Sequence, residues 1–316
     1  MPKRTLAQRH SPRKISSVLP PKKVARSHGP IYKIPMSDLA PLRKSATELA
    51  ALALECRRDI LVMLEKAQSG HPGGSLSAID LITTLFFHEM RMNPQDALWA
   101  DRDRFVLSKG HGVPALYAVL AKRGAIESSV LGTLRKINSQ LQGHPDRVLL
   151  PFVEASTGSL GQGLSIAQGI ALALKLQKKN SRVFCLMGDG ETQEGQVWET
   201  AMSAPKFKLN NLVAIVDCNN GQIDGHVKDV MDLEPVVEKW KAFRWAVQEI
   251  DGHSFPAIIS ALEKARAEIE RPTLIIARTT KGKGVSFMEN QIGWHGVAPN
   301  PDELQKALGD LGRSGK

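Results

Sequence analysis

Two short polar stretches carry the residue types that hold a divalent cation. Gly188-Asp189-Gly190-Glu191 follows an apolar run over 183–187, and Asp217-Cys218-Asn219-Asn220-Gly221 follows another over 212–216. A carboxylate and an amide oxygen at the ends of two neighbouring parallel strands suit Mg²⁺ or Ca²⁺. Such ions take oxygen ligands and leave positions open for phosphate, and ligands bind beyond the carboxyl ends of parallel strands. The flanking glycines let the backbone approach a ligand closely. Either stretch alone reads as a turn. Together they follow the order strand, Gly-Asp-Gly, helix, strand, Asn-Asn, and the 30 positions from Asp189 to Asn219 span about one βαβ unit.

Those stretches need a rigid sheet behind them. Short apolar runs over 183–187, 212–216, 246–250 and 273–277 are each bounded by turn residues, with helical segments near 194–204, 234–243 and 255–270. Strands alternating with helices of that length predict an α/β fold, a parallel sheet with helices on both faces. Upstream, Leu49, Leu52, Ala53, Cys56, Ile60, Met63 and Leu64 recur at helical spacing and predict a helix over about 45–68, stopped by Gly70. Gly70-His71-Pro72-Gly73-Gly74 reads as a turn before a helix over about 77–89. A strand over 104–108 precedes Lys109-Gly110-His111-Gly112 and a helix near 114–122. The loop 156–163 opens an Ala/Leu-rich helix that ends near 176. No internal repeat is visible, and residues 37–316 read as one domain.

The chain has 316 residues, 42% of them apolar, enough for a large core. Cys56, Cys185 and Cys218 are far apart with no CxxC pair, which argues against a disulfide framework or zinc cluster and for a reducing, cytoplasmic setting. No apolar run reaches the roughly 18 residues that span a bilayer, and no secretory h-region is present. The net charge of +10 is concentrated at one end. Residues 1–36 hold nine Lys or Arg and no Asp or Glu, while the rest of the chain holds 33 basic and 32 acidic residues. The globular part is near neutral and is not expected to bind nucleic acid. The Pro-, Ser- and Arg-rich segment 1–36 reads as a disordered basic tail, or an over-long translation start. A targeting role or a contact with RNA or a partner is the other reading. Pro2, Pro12, Pro20 and Pro21 argue against an amphipathic transit helix.

The segment from Gly188-Asp189-Gly190 to Asn219-Asn220 resembles the thiamine-diphosphate motif, in which the Asp, the Asn and a later backbone carbonyl bind the metal. The resemblance makes that carbonyl Gly221's. Further segments, spanning about 45 to 300, resemble the transketolase branch of that superfamily. These are Ser69-Gly70-His71-Pro72-Gly73, Ser108-Lys109-Gly110-His111-Gly112, Gln142-Gly143-His144-Pro145, Thr157-Gly158-Ser159-Leu160-Gly161-Gln162-Gly163, Gly188 through Gly195, and Trp294-His295-Gly296. A lone histidine in a Gly-rich loop is ordinarily incidental. Six segments in the family's order are specific.

The resemblance implies a thiamine-diphosphate-binding fold and transfer of a two-carbon ketol unit from a ketose phosphate to an aldose. Each step moves a proton near neutral pH, which suits imidazole. It implies that His71 and His295 act at the C3 hydroxyl, His144 at the C1 hydroxyl, and His111 on the diphosphate. Gly158 and Leu160 would line the thiamine, Gly190 and Glu191 would join Asn219 in the cofactor site, and Asp189, Asn219 and Gly221 would hold Mg²⁺ or Ca²⁺. Glu194 would lie at the subunit contact, coupled to an activating acid on the other half. His10, His28, His88, His226 and His253 have no matched setting and read as structural or solvent-facing.

After His295 only 21 residues remain, with no place for the family's pyrimidine-binding domain. The chain therefore resembles the N-terminal subunit of a split transketolase, expected to pair with a C-terminal pyrimidine-domain subunit in an α2β2 assembly. Apulose 4-phosphate or a sulfofructose are open as substrates beside the common ketose phosphates. Other thiamine-diphosphate enzymes, a 2-oxo acid dehydrogenase α chain or a deoxyxylulose-phosphate synthase, are the nearest rivals. A dehydrogenase α chain is not expected to carry the Gln142–Pro145 or Trp294–Gly296 segments. A non-catalytic regulatory subunit with a nucleic-acid-binding tail is the rival of another class.

Overall fold

Residues 39–313 are described in a computed structural model, so the expectation for the tail 1–36 lies outside the described residues. Seven strands occur among them: β1 (Arg104–Leu107), β2 (Val183–Gly188), β3 (Leu212–Cys218), β4 (Gly221–Gln222), β5 (Gly225–His226), β6 (Ala246–Asp251) and β7 (Thr273–Arg278). Five form one sheet in the order β1-β2-β3-β7-β6, parallel throughout. The two-residue β4 and β5 pair as a small antiparallel hairpin.

Alternation along the strands decides the layering, because successive side chains point to opposite faces. Phe184 and Leu186 of β2, Val213 and Ile215 of β3, and Ile275 and Ala277 of β7 enter one core cluster. That face is covered by α1 (Ala46–Ala67), α2 (Pro72–Thr84), α3 (Val113–Lys122), α8 (Phe255–Ala267) and α9 (Pro301–Arg313). Val183, Cys185 and Met187, Leu212, Ala214 and Val216, and Leu274 and Ile276 enter a second cluster. It is shared with α4 (Gln162–Leu176), α5 (Gly195–Lys206) and α7 (Val236–Ala242). The single turn α6 (Val227–Val230) follows the hairpin. Continuous apolar runs are what a sheet buried on both faces requires, and the expected α/β architecture is present.

One boundary differs from the sequence expectation. Residues 72–74 are not part of a turn but the first turn of α2, which begins at Pro72 instead of about residue 77. Proline is tolerated at the first helical position, where its missing N–H costs nothing. Two glycines cost about 1 kcal/mol each relative to alanine. All thirteen residues of α2 are buried. Burying Leu76, Ile79, Leu81 and Ile82 is worth about 1.5–3 kcal/mol each, so packing outweighs propensity. Among the described residues no helix is long and apolar enough to cross a membrane.

Candidate active site

Loops that follow β1, β2, β3 and β7 close around a cavity of about 210 Å³, with Lys109, His111, Asp189, Asn219, Lys281 and His295 in its wall. Its geometry starts from strand register. β2 and β3 are neighbours with Gly188 opposite Asp217, so Asp189 and Asn219 leave the sheet side by side. Asp189 Oδ1 accepts from the Gly190 N–H (2.9 Å) and Oδ2 from the Asn220 N–H (2.5 Å), which ties one strand end to the next. Asn219 Nδ2 donates to Ser77 Oγ (3.0 Å) and Asp217 Oδ2 (3.3 Å), while its Oδ1 accepts from the Gly221 N–H (3.0 Å).

Beneath this pair lies Asp217, fully buried. It accepts from Lys109 Nζ (2.5 Å), Ser77 Oγ (2.6 Å) and Thr279 Oγ1. Burial alone would raise its carboxyl, but Lys109 and these hydrogen bonds outweigh it and the net shift is downward. Asp189 has no such cation against it. Burial, and then the Asp217 charge, push it up to about 6. A bound cation would reverse that cost.

Lys281 sits in the loop after β7 and is 1% exposed. Its Nζ donates to the Gly221 carbonyl (3.2 Å) and lies 3.0 Å from His295 Nδ1. Among the described residues it has no carboxylate partner. Burial and the neighbouring Lys109 lower it to about 8. Burying an ammonium without a counter-charge is expensive, and an anion in the cavity would offset the cost. Gly73 permits this approach, since a Cβ there would meet Trp294 O at 2.9 Å and Lys281 Cγ at 3.0 Å.

Four histidines converge on the same place. The ring centroid of His71 lies 5.3 Å from that of His111, 6.3 Å from His144 and 5.6 Å from His295, and His111 lies 5.2 Å from His295. Burial and then Arg135 lower His71 to about 4, and burial and then Lys281 lower His295 to about 3. His111 is also well below its usual range, through burial and Lys109. His144, at the exposed rim, is lowered by partial burial and Arg135. The imidazoles are therefore neutral at pH 7. Among the described residues His71 Nδ1 is buried without a partner, an orphan that a bound ligand would satisfy.

The other expected residues fall in distinct places. Leu160, Gly190, Glu191 and Gly221 line the cavity. Gly158 adopts φ +146, a conformation that favours glycine, and a Cβ there would stand 3.1 Å from the His144 ring. The Glu191 carboxylate is buried and committed to the protein. It accepts from Ser108 Oγ, the Gly161 N–H (3.0 Å) and the Gly188 N–H (3.0 Å), bracing the loop before α4 against the end of β2. The Gly221 carbonyl, expected as a metal ligand, accepts from Lys281. Glu194 is exposed at the start of α5. Among the described residues no group of three or more His, Cys, Asp or Glu is placed to hold a metal. A metal here would depend on Asp189, the Asn219 amide oxygen, a backbone carbonyl and the oxygens of its ligand.

Sequence reasoning passed over Lys281, the buried role of Lys109, and Asp217. A signal existed for the first. Thr279-Thr280-Lys281-Gly282-Lys283-Gly284 is a basic, Gly-rich loop directly after a strand. His88 and His226 fit their structural reading, with Nδ1 against the carbonyls of Lys44 (2.8 Å) and Asn220 (3.2 Å).

Comparison with known proteins bears on this geometry. The family model described as transketolase, thiamine diphosphate binding domain, matches residues 51–315. The chain is 41% identical over 259 residues to the 6-deoxy-6-sulfo-D-fructose transketolase subunit SqwG of Clostridium sp. (strain MSTE9), covering 82% of this chain and 94% of that one. It is 42% identical over 255 residues to an apulose-4-phosphate transketolase subunit of Phocaeicola vulgatus, covering 81% and 90%. The crystal structure of transketolase from Campylobacter jejuni superposes with a TM-score of 0.78 at 35% identity, over 84% of this chain and 42% of that one. The chain thus spans less than half of that longer transketolase and nearly all of the two subunits.

Proposed function

The chain belongs to the transketolase family, as its thiamine-diphosphate-binding domain, and from that premise we propose that it is the N-terminal subunit of a two-subunit transketolase. With a separate C-terminal subunit it moves a two-carbon ketol unit from a ketose phosphate to an aldose. The observation that carries this reading is the cavity where the buried Lys281 meets Asp189, Asn219, His111 and His295. The buried Lys281 ammonium, which has no carboxylate partner among the described residues, and the Asp189 carboxylate, which is not committed to a cation, suit a diphosphate and a divalent ion. The two-subunit reading is supported by the relatives named as subunits, which this chain matches over 94% and 90% of their length.

Residues 37–316 form the cofactor-binding domain in this reading. Asp189, Asn219 and Gly221 hold Mg²⁺ or Ca²⁺, with Lys281 giving up the Gly221 carbonyl to the ion. His111 and Lys281 donate to diphosphate oxygens, Gly158 and Leu160 line the thiamine, and Gly190 and Glu191 shape the adjoining wall. Bound thiamine diphosphate supplies the electron sink for breaking the C2–C3 bond of the ketose. His71 and His295 serve the C3 hydroxyl: His71, neutral at pH 7, is able to take a proton, and His295 offers a donor. An ammonium only donates, so His295 Nδ1 is the acceptor and Nε2 carries the ring proton. His144, at the rim, orients the C1 hydroxyl. Glu194, exposed at the start of α5, faces the subunit contact of an α2β2 assembly. The free thiols of Cys56, Cys185 and Cys218 support a cytoplasmic location.

Two relatives named for sulfofructose and apulose 4-phosphate favour an unusual ketose as the alternative donor. The test is co-expression with the neighbouring reading frame and calorimetric titration of thiamine diphosphate with Mg²⁺. Tight binding only by the pair is expected, and two-carbon transfer is then scored across ketose phosphates, apulose 4-phosphate and 6-deoxy-6-sulfo-D-fructose. Tight binding and turnover by this chain alone would contradict the two-subunit reading. No transfer from any ketose by the pair would remove the transketolase assignment.

A further inference from the structure

His253 does not line the cavity, yet it touches the loop that carries Lys281. It lies in the turn between β6 and α8 and is bonded on both ring nitrogens. Nδ1 is 2.8 Å from Asp80 Oδ2, and Nε2 accepts from the backbone N–H of Thr280 at 2.8 Å. A peptide N–H can only donate, so Nε2 is bare and Nδ1 carries the proton. The two bonds therefore fix the orientation of the ring, with Nδ1 toward Asp80 and Nε2 toward Thr280.

Asp80, on α2 and 3% exposed, is itself fixed. Arg57 of α1 grips it with Nη1 on Oδ1 (2.9 Å) and Nη2 on Oδ2 (2.7 Å). The same guanidinium donates through Nε to the Lys283 carbonyl at 3.2 Å. One buried unit, Arg57–Asp80–His253, thus holds the loop at the amide before Lys281 and at a carbonyl two residues after it. Between these points the Gly282 N–H donates to Gly73 O (3.0 Å) and the Lys281 carbonyl accepts from the Asn290 N–H (2.9 Å).

We propose that His253 is a positioning residue that bridges the Asp80 carboxylate to the Thr280 amide and so presents the Lys281 ammonium to the anionic cofactor. The inference rests on the proposed cofactor reading of the cavity, but its mechanical half does not need a cofactor. The ring supplies one donor and one acceptor about 2 Å apart, a pair that the glutamine amide also offers and phenylalanine lacks.

Two measurements on His253→Phe and His253→Gln test it. Hydrogen exchange on the full chain without cofactor reads the loop directly: segment 279–284 should exchange faster in His253→Phe and close to wild type in His253→Gln. Titration of thiamine diphosphate with Mg²⁺, with the partner subunit present, should show affinity about 10- to 100-fold weaker in His253→Phe, the range for residues that orient a ligand-binding group, with His253→Gln recovering most of it. In a Lys281→Met background, His253→Phe should cost no further affinity, because the two substitutions act through one contact. A general packing role would instead give additive losses, and additive losses overturn the proposal. Unchanged exchange overturns it too, as does faster exchange with unchanged affinity. If the wild-type pair binds no thiamine diphosphate, the functional reading falls, and the exchange result still decides whether His253 holds the loop.

Discussion

Lys281 Nζ stands 3.0 Å from His295 Nδ1, and both side chains line the cavity at the carboxyl end of the sheet. The ammonium fixes the tautomer of the imidazole and, after burial, is the largest influence keeping it neutral, at about 3. Among the described residues the same ammonium has no carboxylate partner, so a cofactor diphosphate would complete its surroundings.

Replacing Lys281 by methionine keeps the buried stem and removes the charge. The pKa of His295 should rise but stay below the ordinary 6.5, because burial persists, and NMR titration of the ring reads this directly. Affinity for thiamine diphosphate should fall about 10- to 100-fold, the loss of one charged hydrogen bond. An unmoved His295 would show that the pair is not electrically coupled.

Asp189→Ala removes the anionic ligand proposed for the metal and should abolish Mg²⁺-dependent binding of thiamine diphosphate in calorimetry. Asn219→Ala removes the neutral ligand proposed beside it and should weaken binding about tenfold, near 1.4 kcal/mol. Equal losses would show that charge is not what Asp189 contributes.

Asp217→Ala should cost about 3–5 kcal/mol of stability in urea unfolding, because it leaves Lys109 buried and unpaired. Lys109 is 1% exposed and has the Gly74 carbonyl as its other acceptor. The double replacement Asp217→Asn with Lys109→Met should recover part of that loss.

Acid should destabilise the protein through its histidines. His71 and His295 have folded-state pKa values of about 4 and about 3, below the unfolded 6.5, so between those values the unfolded chain binds more protons. Their contribution is fully present above pH 6.5 and is lost as pH falls toward about 4 for His71 and about 3 for His295. Asp189, raised to about 6, acts in the opposite direction over about pH 4–6 and partly masks the trend. Comparing melting temperatures at pH 7 and pH 5 isolates one ring. The drop should be smaller in His295→Gln than in wild type, and an equal drop would show that His295 does not contribute.

Much of the site is legible along the chain. The apolar runs ending at Met187 and Val216 place Asp189 and Asn219 at strand ends, since strands buried on both faces leave only their ends polar. The glycine-flanked segments around His71, His111, His144 and His295 set the family and therefore the fold. The start of α2 is hidden from such reading because propensity treats two glycines as a break, and only the burial of the whole helix outweighs them.

What the sequence by itself determined is which residues stand at the carboxyl ends of the strands, because apolar patterning and turn chemistry are local. What the tertiary structure decided is their charge state and their partners. Lys109 meets Asp217 across 108 positions, and His253 meets Asp80 across 173. No local pattern encodes such pairings. Burial then makes an ordinary lysine, Lys281, into an ammonium that needs an anion, because the cost of a buried charge depends on everything packed around it.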